Sequence, residues 1–485
     1  MNSPASSVLL PSLRDPAGRL YGVQGRLIRI IHKSWVPHVQ AFLNSRALRE
    51  FTDSGRFVRT RVLSAPEFEP LLQTPDIRVS LETTEVGMVA EHEPVWFPSF
   101  PYEWPPEMLH AAGQLTLDLA AALLDEGLGI KDATPYNILF QGPQPLFIDL
   151  LSGERRDPQD PIWLPFGQFV RTFLLPLLAY RTLRISPDQV LLTHRDGLEP
   201  AELYKWCNRL QRLLPPTLTL CTIPTWLESP ADSAKTSLYQ GKRVQDAARA
   251  RFILDGLLKR QRRLLDRLEP VRRNDSYWSD YMATQPSYTQ QEFASKESFV
   301  REALLQFRPQ RVLDIGCNIG HFSKAAAQSG ASVIAIDSDP QVVGEVWRRA
   351  RAERLDILPL VVDLSRPTPA VGWRNREHPS FLERACQAFD GVLLLAVIHH
   401  LLVTAGIPLR EILRLASELT THLCVAEFVG PADPMFRRLL RGREHLYEDL
   451  SIRTFEAACD PHFEILRSIR LASSERWLYL LQRKS

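Results

Sequence analysis

Between Arg311 and Asp337 the chain reads RVLDI, GCNIG, HFSKAAAQSG and ASVIAID, and no other stretch restricts the fold so tightly. An apolar run, a glycine-bearing turn, a helix-period segment and a second apolar run form a strand–turn–helix–strand unit, whose two strands must lie parallel. The pattern continues, with apolar runs at Val312 to Ile315, Val333 to Ile336, Leu358 to Val362, Val392 to Leu395 and Leu423 to Val425 separated by helical stretches. Runs that are apolar throughout predict strands buried on both faces. Two further strand-like runs, HFEILRSIRL and ERWLYLLQR, are separated by Ala-Ser-Ser and predict a hairpin.

The first turn, Asp314 to Gly320, carries glycines where the backbone bends sharply and a ligand must come close, so a Cβ is expected to occupy the ligand's space. Asp337 stands 23 residues after Asp314, at the end of the second strand, where a carboxylate can accept hydrogen bonds from two ribose hydroxyls. A glycine-rich turn alone also occurs in dinucleotide-binding folds; the combination is more specific. The stretches DIGCNIG, AIDSD, VVDLS and FDGVLLLAVIHHLL, in that order and spacing, resemble successive motifs of the class I S-adenosylmethionine-dependent methyltransferases. That resemblance implies a Rossmann-like α/β domain with a seven-stranded sheet, the hairpin at one edge and only the last strand antiparallel. It also implies S-adenosylmethionine as cofactor, with Gly316, Asn318 and Gly320 against its methionine and ribose, Asp337 gripping the ribose, Asp363 and Leu364 bordering the adenine, and Ala396 lining the methionine end. Asp314 is suited to orient water or the cofactor's ammonium, and the missing third glycine favours a sulfonium cofactor over NAD.

Methyl transfer is an in-line displacement, so the protein chiefly orients donor and acceptor and excludes water. A hydroxyl acceptor also needs a base. His399 and His400 follow the fourth strand of this region, at the carboxyl edge where open α/β sheets bind ligands, and Glu427 reaches the same edge from the fifth. Packing, helix capping and a backbone contact are the competing structural uses of these three. The aromatic and polar piece from Tyr277, Trp278 and Tyr281 through Tyr288 to Lys296 is a candidate lid, or merely packs against the sheet's helices.

In the first half, KDATPYNILF followed by FID puts Asp132 and Asn137 five apart and Asp149 twelve further on, after an apolar strand. This resembles the catalytic loop and metal-binding strand of kinase-like phosphotransferases of the aminoglycoside-phosphotransferase kind, implying an N-terminal α+β domain. The sequence departs from that pattern. Ile130-Lys131 precedes Asp132, Leu-Leu follows Asp149, and Gly22, Gly25 and Lys33 are the nearest remnants of a phosphate loop and its lysine. A scaffold is expected rather than an active phosphotransferase, and turn or capping roles for Asp132, Asn137 and Asp149 stay open. As a whole the chain is similar to bacterial two-part methyltransferases labelled nodulation-related.

A chain of 485 residues exceeds one hydrophobic core, and composition shifts suggest 1–230 as the kinase-like part, 231–298 as a basic helical linker and possible lid, and 299–485 as the methyltransferase part. Lys and Arg number 58 against 56 Asp and Glu, so nucleic acid is not expected as the main partner. The cations of the linker helix, among them Lys259, Arg262, Arg263 and Arg267, alternate with a leucine stripe and read as its solvated face. With no signal peptide and no apolar run of bilayer length, a cytosolic protein without a membrane span is expected. The six scattered cysteines predict reduced thiols and no structural metal.

Overall fold

The computed structural model describes residues 8–9, 15–72, 77, 85–227, 243–271, 288–440, 442–472 and 474–484. It separates into two compact units: Met1–Tyr102, Pro106–Pro270 and Val371–His378 form the first, and Glu103–Pro105, Val271–Ala370 and Pro379–Ser485 the second.

In the first unit, β1 (Val8–Leu9), β2 (Gly18–Val23), β3 (Arg26–His32), β4 (Thr60–Val62) and β5 (Val86–His92) make an antiparallel sheet in the order β1-β2-β3-β5-β4. Gln24 and Gly25, both at positive φ, form the two-residue turn between β2 and β3, as the twist of a hairpin favours. Short strands β6 (Leu128–Ile130), β7 (Ile138–Gln141), β8 (Gln144–Phe147) and β9 (Gly153–Arg155) follow the long helix Pro106–Leu124.

The basic helix Ala247–Arg267 is packed on Pro106–Leu124 within this unit. Its stripe Leu254, Leu258, Leu264 and Leu265 is buried. A Cβ on Gly113 of the long helix would meet the Leu265 methyls at 3.2–3.3 Å, so the helices approach closely there. Arg251 pairs with Asp125 and Arg262 with Asp118, so part of the cationic face is neutralised by acids beside it rather than simply solvated. Arg272, Arg273, Tyr277, Trp278 and Tyr281 lie outside the described residues.

The second unit holds seven strands, β10 (Arg311–Ile315), β11 (Ser332–Asp337), β12 (Ile357–Val361), β13 (Phe389–Leu394), β14 (Thr420–Val429), β15 (Phe463–Arg470) and β16 (Arg476–Arg483), in the order β12-β11-β10-β13-β14-β16-β15. β10 to β14 pair in parallel, and β16 runs antiparallel between β14 and β15. The parallel strands are largely apolar because both faces are covered, and every residue of β12 is buried, whereas the edge strand β15 is mostly exposed. From β10 the chain winds outward through β11 and β12, then returns to place β13 on the other side of β10. This reversal opens a crevice at the carboxyl ends of β10 and β13, where ligands bind in open α/β sheets.

Candidate functional site

A cavity of ≈380 Å³ fills that crevice, within the usual range for small-molecule sites. Asp314, Gly316, Asn318, Asp337, Asp363, Leu364, Ala396, His399 and His400 line it. Gly320 does not; at φ +77° it caps the helix His321–Gln328.

The turn is held by β11: the amides of Gly316 and Cys317 donate to the Ile336 carbonyl at 2.8 and 3.0 Å. Asp337 is thereby brought under the turn, where its carboxylate accepts from the Asn318 amide at 3.0 Å and the Asp339 amide at 3.1 Å. An ionised carboxylate has about four acceptor sites, so these backbone contacts leave acceptor capacity for a ligand hydroxyl. The expectation for Gly316 needs revising. A Cβ there would first strike the Val397 side chain, 2.4 Å from Cγ2, and φ is +67°. Glycine is demanded by the close passage of the β10 and β13 loops, before any ligand enters. Asp363 accepts from the amide and hydroxyl of Ser365 at 2.9 and 2.7 Å, which orders the loop after β12.

Asp314 is buried at the floor and accepts from Ser323 Oγ at 2.5 Å. Burial, opposed by that hydroxyl, holds its carboxyl up at about 6. The folded state therefore keeps this proton to a higher pH than the unfolded chain, which releases it near about 3.9. Stability contributed by the site falls as pH rises from about 4 to about 6 and stays reduced above. Asp314→Asn is expected to stabilise the unliganded protein at pH 7.5 by on the order of 2–3 kcal/mol, with the gain vanishing below about pH 4. Thermal melts of both proteins at the two pH values measure this; equal melting at pH 7.5 would refute it.

On the other side of the crevice, Ala396 has φ +57°, a left-handed conformation that costs a non-glycine residue about 1 kcal/mol or more and tends to mark functional sites. A π-helical turn, His400–Thr404, follows. His399 is 3% exposed, and among the described residues its Nδ1 has no hydrogen-bond partner. Burial, then the neighbouring His400, Arg476 and Lys296, depress its pKa well below the usual histidine range; burial and Arg476 lower that of His400. Both rings are neutral at pH 7.

Glu427 is fully buried and absent from the cavity wall. It accepts from Tyr288 Oη at 2.7 Å and Lys296 Nζ at 2.6 Å, with Arg476 Nη1 at 3.5 Å. Lys296 also donates to Tyr288 Oη at 2.9 Å, and Arg476 Nε to Asp433 at 2.8 Å. Tyr288, Lys296 and Arg476 face the cavity, so Glu427 acts on them and not directly on a ligand. Sequence reasoning placed Tyr288 and Lys296 in a lid and missed Arg476 and Asp433. The available signal for Arg476 was an arginine directly before the apolar run Trp477 to Leu481.

In the first unit, Asp132, Asn137 and Asp149 do come near one another. Ile148 N donates to the Asn137 carbonyl at 2.9 Å, and the two carboxylates sense each other's charge. Asp149 Oδ1 accepts from the Leu151 amide at 3.1 Å, with the buried Arg29 guanidinium 3.9 Å away. Burial raises both carboxyls, opposed at Asp149 by Arg29 and at Asp132 by Lys131. Asn137 Nδ2 is buried without a partner among the described residues.

A glycine turn, a carboxylate at the second strand's end and a cavity at the switch point define a nucleoside-binding α/β site, and a family model described as "Methyltransferase domain" matches residues 288–429. The second unit is thus a methyltransferase domain, with S-adenosylmethionine as methyl donor and the acceptor unidentified. Over 478 residues the chain is 30% identical to nodulation protein NoeA of Rhizobium meliloti (strain 1021), covering 97% of this chain and 95% of that protein. It belongs to the NoeA family. A shorter match, 36% over 106 residues, covers 21% of this chain and 24% of the 23S rRNA (uracil(1939)-C(5))-methyltransferase RlmD of Shewanella sediminis (strain HAW-EB3). Among solved structures, N-methyltransferase NodS from Bradyrhizobium japonicum WM9 with S-adenosylhomocysteine is 15% identical, with 44% of this chain and 94% of that chain covered and a TM-score of 0.32. Among the described residues no helix is long and apolar enough to cross a membrane.

Proposed function

We propose that the second unit binds S-adenosylmethionine along the Asp314–Gly320 turn and passes its methyl group to an acceptor entering beside His399. Asp337 would take the ribose hydroxyls, Asp363 and Leu364 the adenine, and Asp314 with Ala396 the methionine end. When bound, the sulfonium supplies an electrophilic methyl carbon. The residues present fit such a group: Asp337 has acceptor capacity beyond its backbone contacts, and it lines the same cavity as the Gly316 turn. His399 carries the reading furthest. A neutral, buried imidazole with an unpartnered nitrogen on the wall can receive the proton of a hydroxyl or amine acceptor. His400, half-buried beside it with ring centroids 4.3 Å apart, would shape the same wall. Glu427 is a positioning residue that holds Tyr288, Lys296 and Arg476.

The test is methyl transfer from labelled S-adenosylmethionine into extracts of the source cells. His399→Asn should cut transfer roughly 10²–10⁴-fold while leaving S-adenosylhomocysteine binding intact. Because its pKa is lowered, the wild-type rate should stay flat as pH falls through 6.5, where an ordinary imidazole would protonate. Cofactor binding with no transfer into any fraction would favour a non-catalytic, cofactor-holding scaffold.

We read residues 1–230 as a kinase-like body and 299–485 as the methyltransferase, with the first part acting as a scaffold. A magnesium site does not fit Asp132, Asn137 and Asp149. Arg29 already supplies positive charge beside Asp149. ATP with magnesium is therefore expected to leave the melting temperature unchanged. Saturation at a hundred times the dissociation constant would add about 2.7 kcal/mol, an easily measured rise. Such a rise, abolished by Asp149→Asn, would make the protein bifunctional.

A further inference from the structure

We propose that the first unit serves the second as an anchor: it holds residues 371–378, and through them fixes the loop of Asp363 and Ser365 beside the crevice. The inference rests on the reading of that crevice as the cofactor site. Residues 371–378 belong to the first unit, whereas the chain leading to Ala370 and the chain from Pro379 onward belong to the second. They form a closed arm. Val371 N donates to the His378 carbonyl at 3.0 Å, and His378 N to the Val371 carbonyl at 3.1 Å. Within the first unit, Arg195 Nη1 donates to Glu377 Oε2 at 2.5 Å, with Nη2 3.4 Å from His378 Nε2. Glu377 is 1% exposed, and a carboxylate is buried this deeply only where cations or donors hold it. The His378 ring stacks on Phe100, with centroids 4.3 Å apart, and on Tyr136 at 5.3 Å. The Arg195 guanidinium lies 5.2 Å from the Tyr136 centroid. Gly372, at φ +90°, leaves room for the ion pair, because a Cβ there would collide with the Glu377 carboxylate and the Arg195 guanidinium. An arm that merely looped into solvent would bury no carboxylate.

The link from arm to crevice is short and stiff. Asp363, Leu364 and Ser365 line the cavity, and residues 366–370, Arg-Pro-Thr-Pro-Ala, lead from them to the arm. Five residues span at most roughly 18 Å, and the two prolines fix φ at two of them. Arg366 N donates to the Asp363 carbonyl at 2.9 Å, and on the return Phe381 N donates to the Thr368 carbonyl at 3.0 Å. Release of the arm is therefore passed to the loop rather than absorbed on the way. A loop held at both ends has less conformational freedom to give up when a ligand orders it, so anchoring favours binding. Tyr136 stands between Asp132 and Asn137, which gives that stretch a docking use that needs neither phosphate nor metal.

The experiment measures S-adenosylhomocysteine affinity by calorimetry, and amide exchange of residues 365–370 without ligand, both on the full chain. Arg195→Ala should weaken affinity roughly tenfold and speed exchange at Ser365, Arg366, Thr368 and Ala370. Arg195→Lys, which keeps a donor for Glu377, should recover part of both. Pro367→Gly with Pro369→Gly leaves the dock intact and loosens the link, so affinity should fall severalfold at nearly unchanged melting temperature. A purely structural role for Arg195 would not predict that loss. Arg243→Ala, at an exposed arginine elsewhere on the first unit, should change neither readout. Wild-type affinity, or wild-type exchange, in both Arg195→Ala and the double-proline variant would overturn the proposal. Absence of S-adenosylhomocysteine binding by the wild-type protein would sink the cofactor reading alone, with exchange in Arg195→Ala still deciding whether the arm anchors the loop.

Discussion

Alanine at Asp337 is expected to weaken S-adenosylhomocysteine binding by roughly 10²–10⁴-fold, read by calorimetry. Two charge-assisted hydrogen bonds to a ribose diol at about 1.5–3 kcal/mol each account for that range. The change also strips the Asn318 and Asp339 amides of their acceptor, so the turn loses the group that shapes it. Asp337→Asn keeps the outline and one acceptor oxygen and should fall between. Gly316→Val should be comparably damaging for a different reason, since its Cβ meets Val397 and its backbone stays left-handed. Val397→Ala would relieve the clash but not the backbone strain. Wild-type affinity in both Asp337→Ala and Gly316→Val would remove this turn from the cofactor site.

The second large effect concerns Glu427. Glu427→Gln leaves Lys296 and Arg476 buried without their shared carboxylate, and breaking a buried ion pair costs about 3–5 kcal/mol. For a unit of this size that is a fall in melting temperature on the order of 10 °C. Asp433 still holds Arg476, so the larger penalty falls on Lys296. Lys296→Met combined with Glu427→Gln should therefore be less unstable than the sum of the single changes, with a coupling of about 1 kcal/mol or more. Additive losses would mean the network is not a unit. A Glu427→Gln protein of normal stability with lost methyl transfer would instead make Glu427 a direct participant.

Of the candidate sites, the turn side of the second unit's crevice was the more legible, since most residues singled out there line one cavity. Its signals are local: the glycine turn, the carboxylate ending β11 and the loop after β13 are each short stretches whose chemistry travels with their position on a strand end. Glu427 read differently once folded. Its place near the carboxyl end of β14 was apparent, but the sequence cannot show that Tyr288, Lys296 and Arg476, up to 188 positions apart, close over it. The basic helix was recognised by its leucine period, yet its packing on Pro106–Leu124 depends on acids, Asp118 and Asp125, that no local pattern links to it.

Sequence alone determined the alternation of buried strands and helices in the second unit and pointed to most of the residues that line its crevice, because hydrophobic period and turn chemistry act over a few residues. Only the tertiary structure decided which charges neutralise one another, why Gly316 must lack a side chain, and that Arg29 stands beside Asp149. Those outcomes depend on burial and on distances between remote segments. The same carboxylate can be a ligand, a catalyst or a strut according to what the fold places within a few ångströms of it.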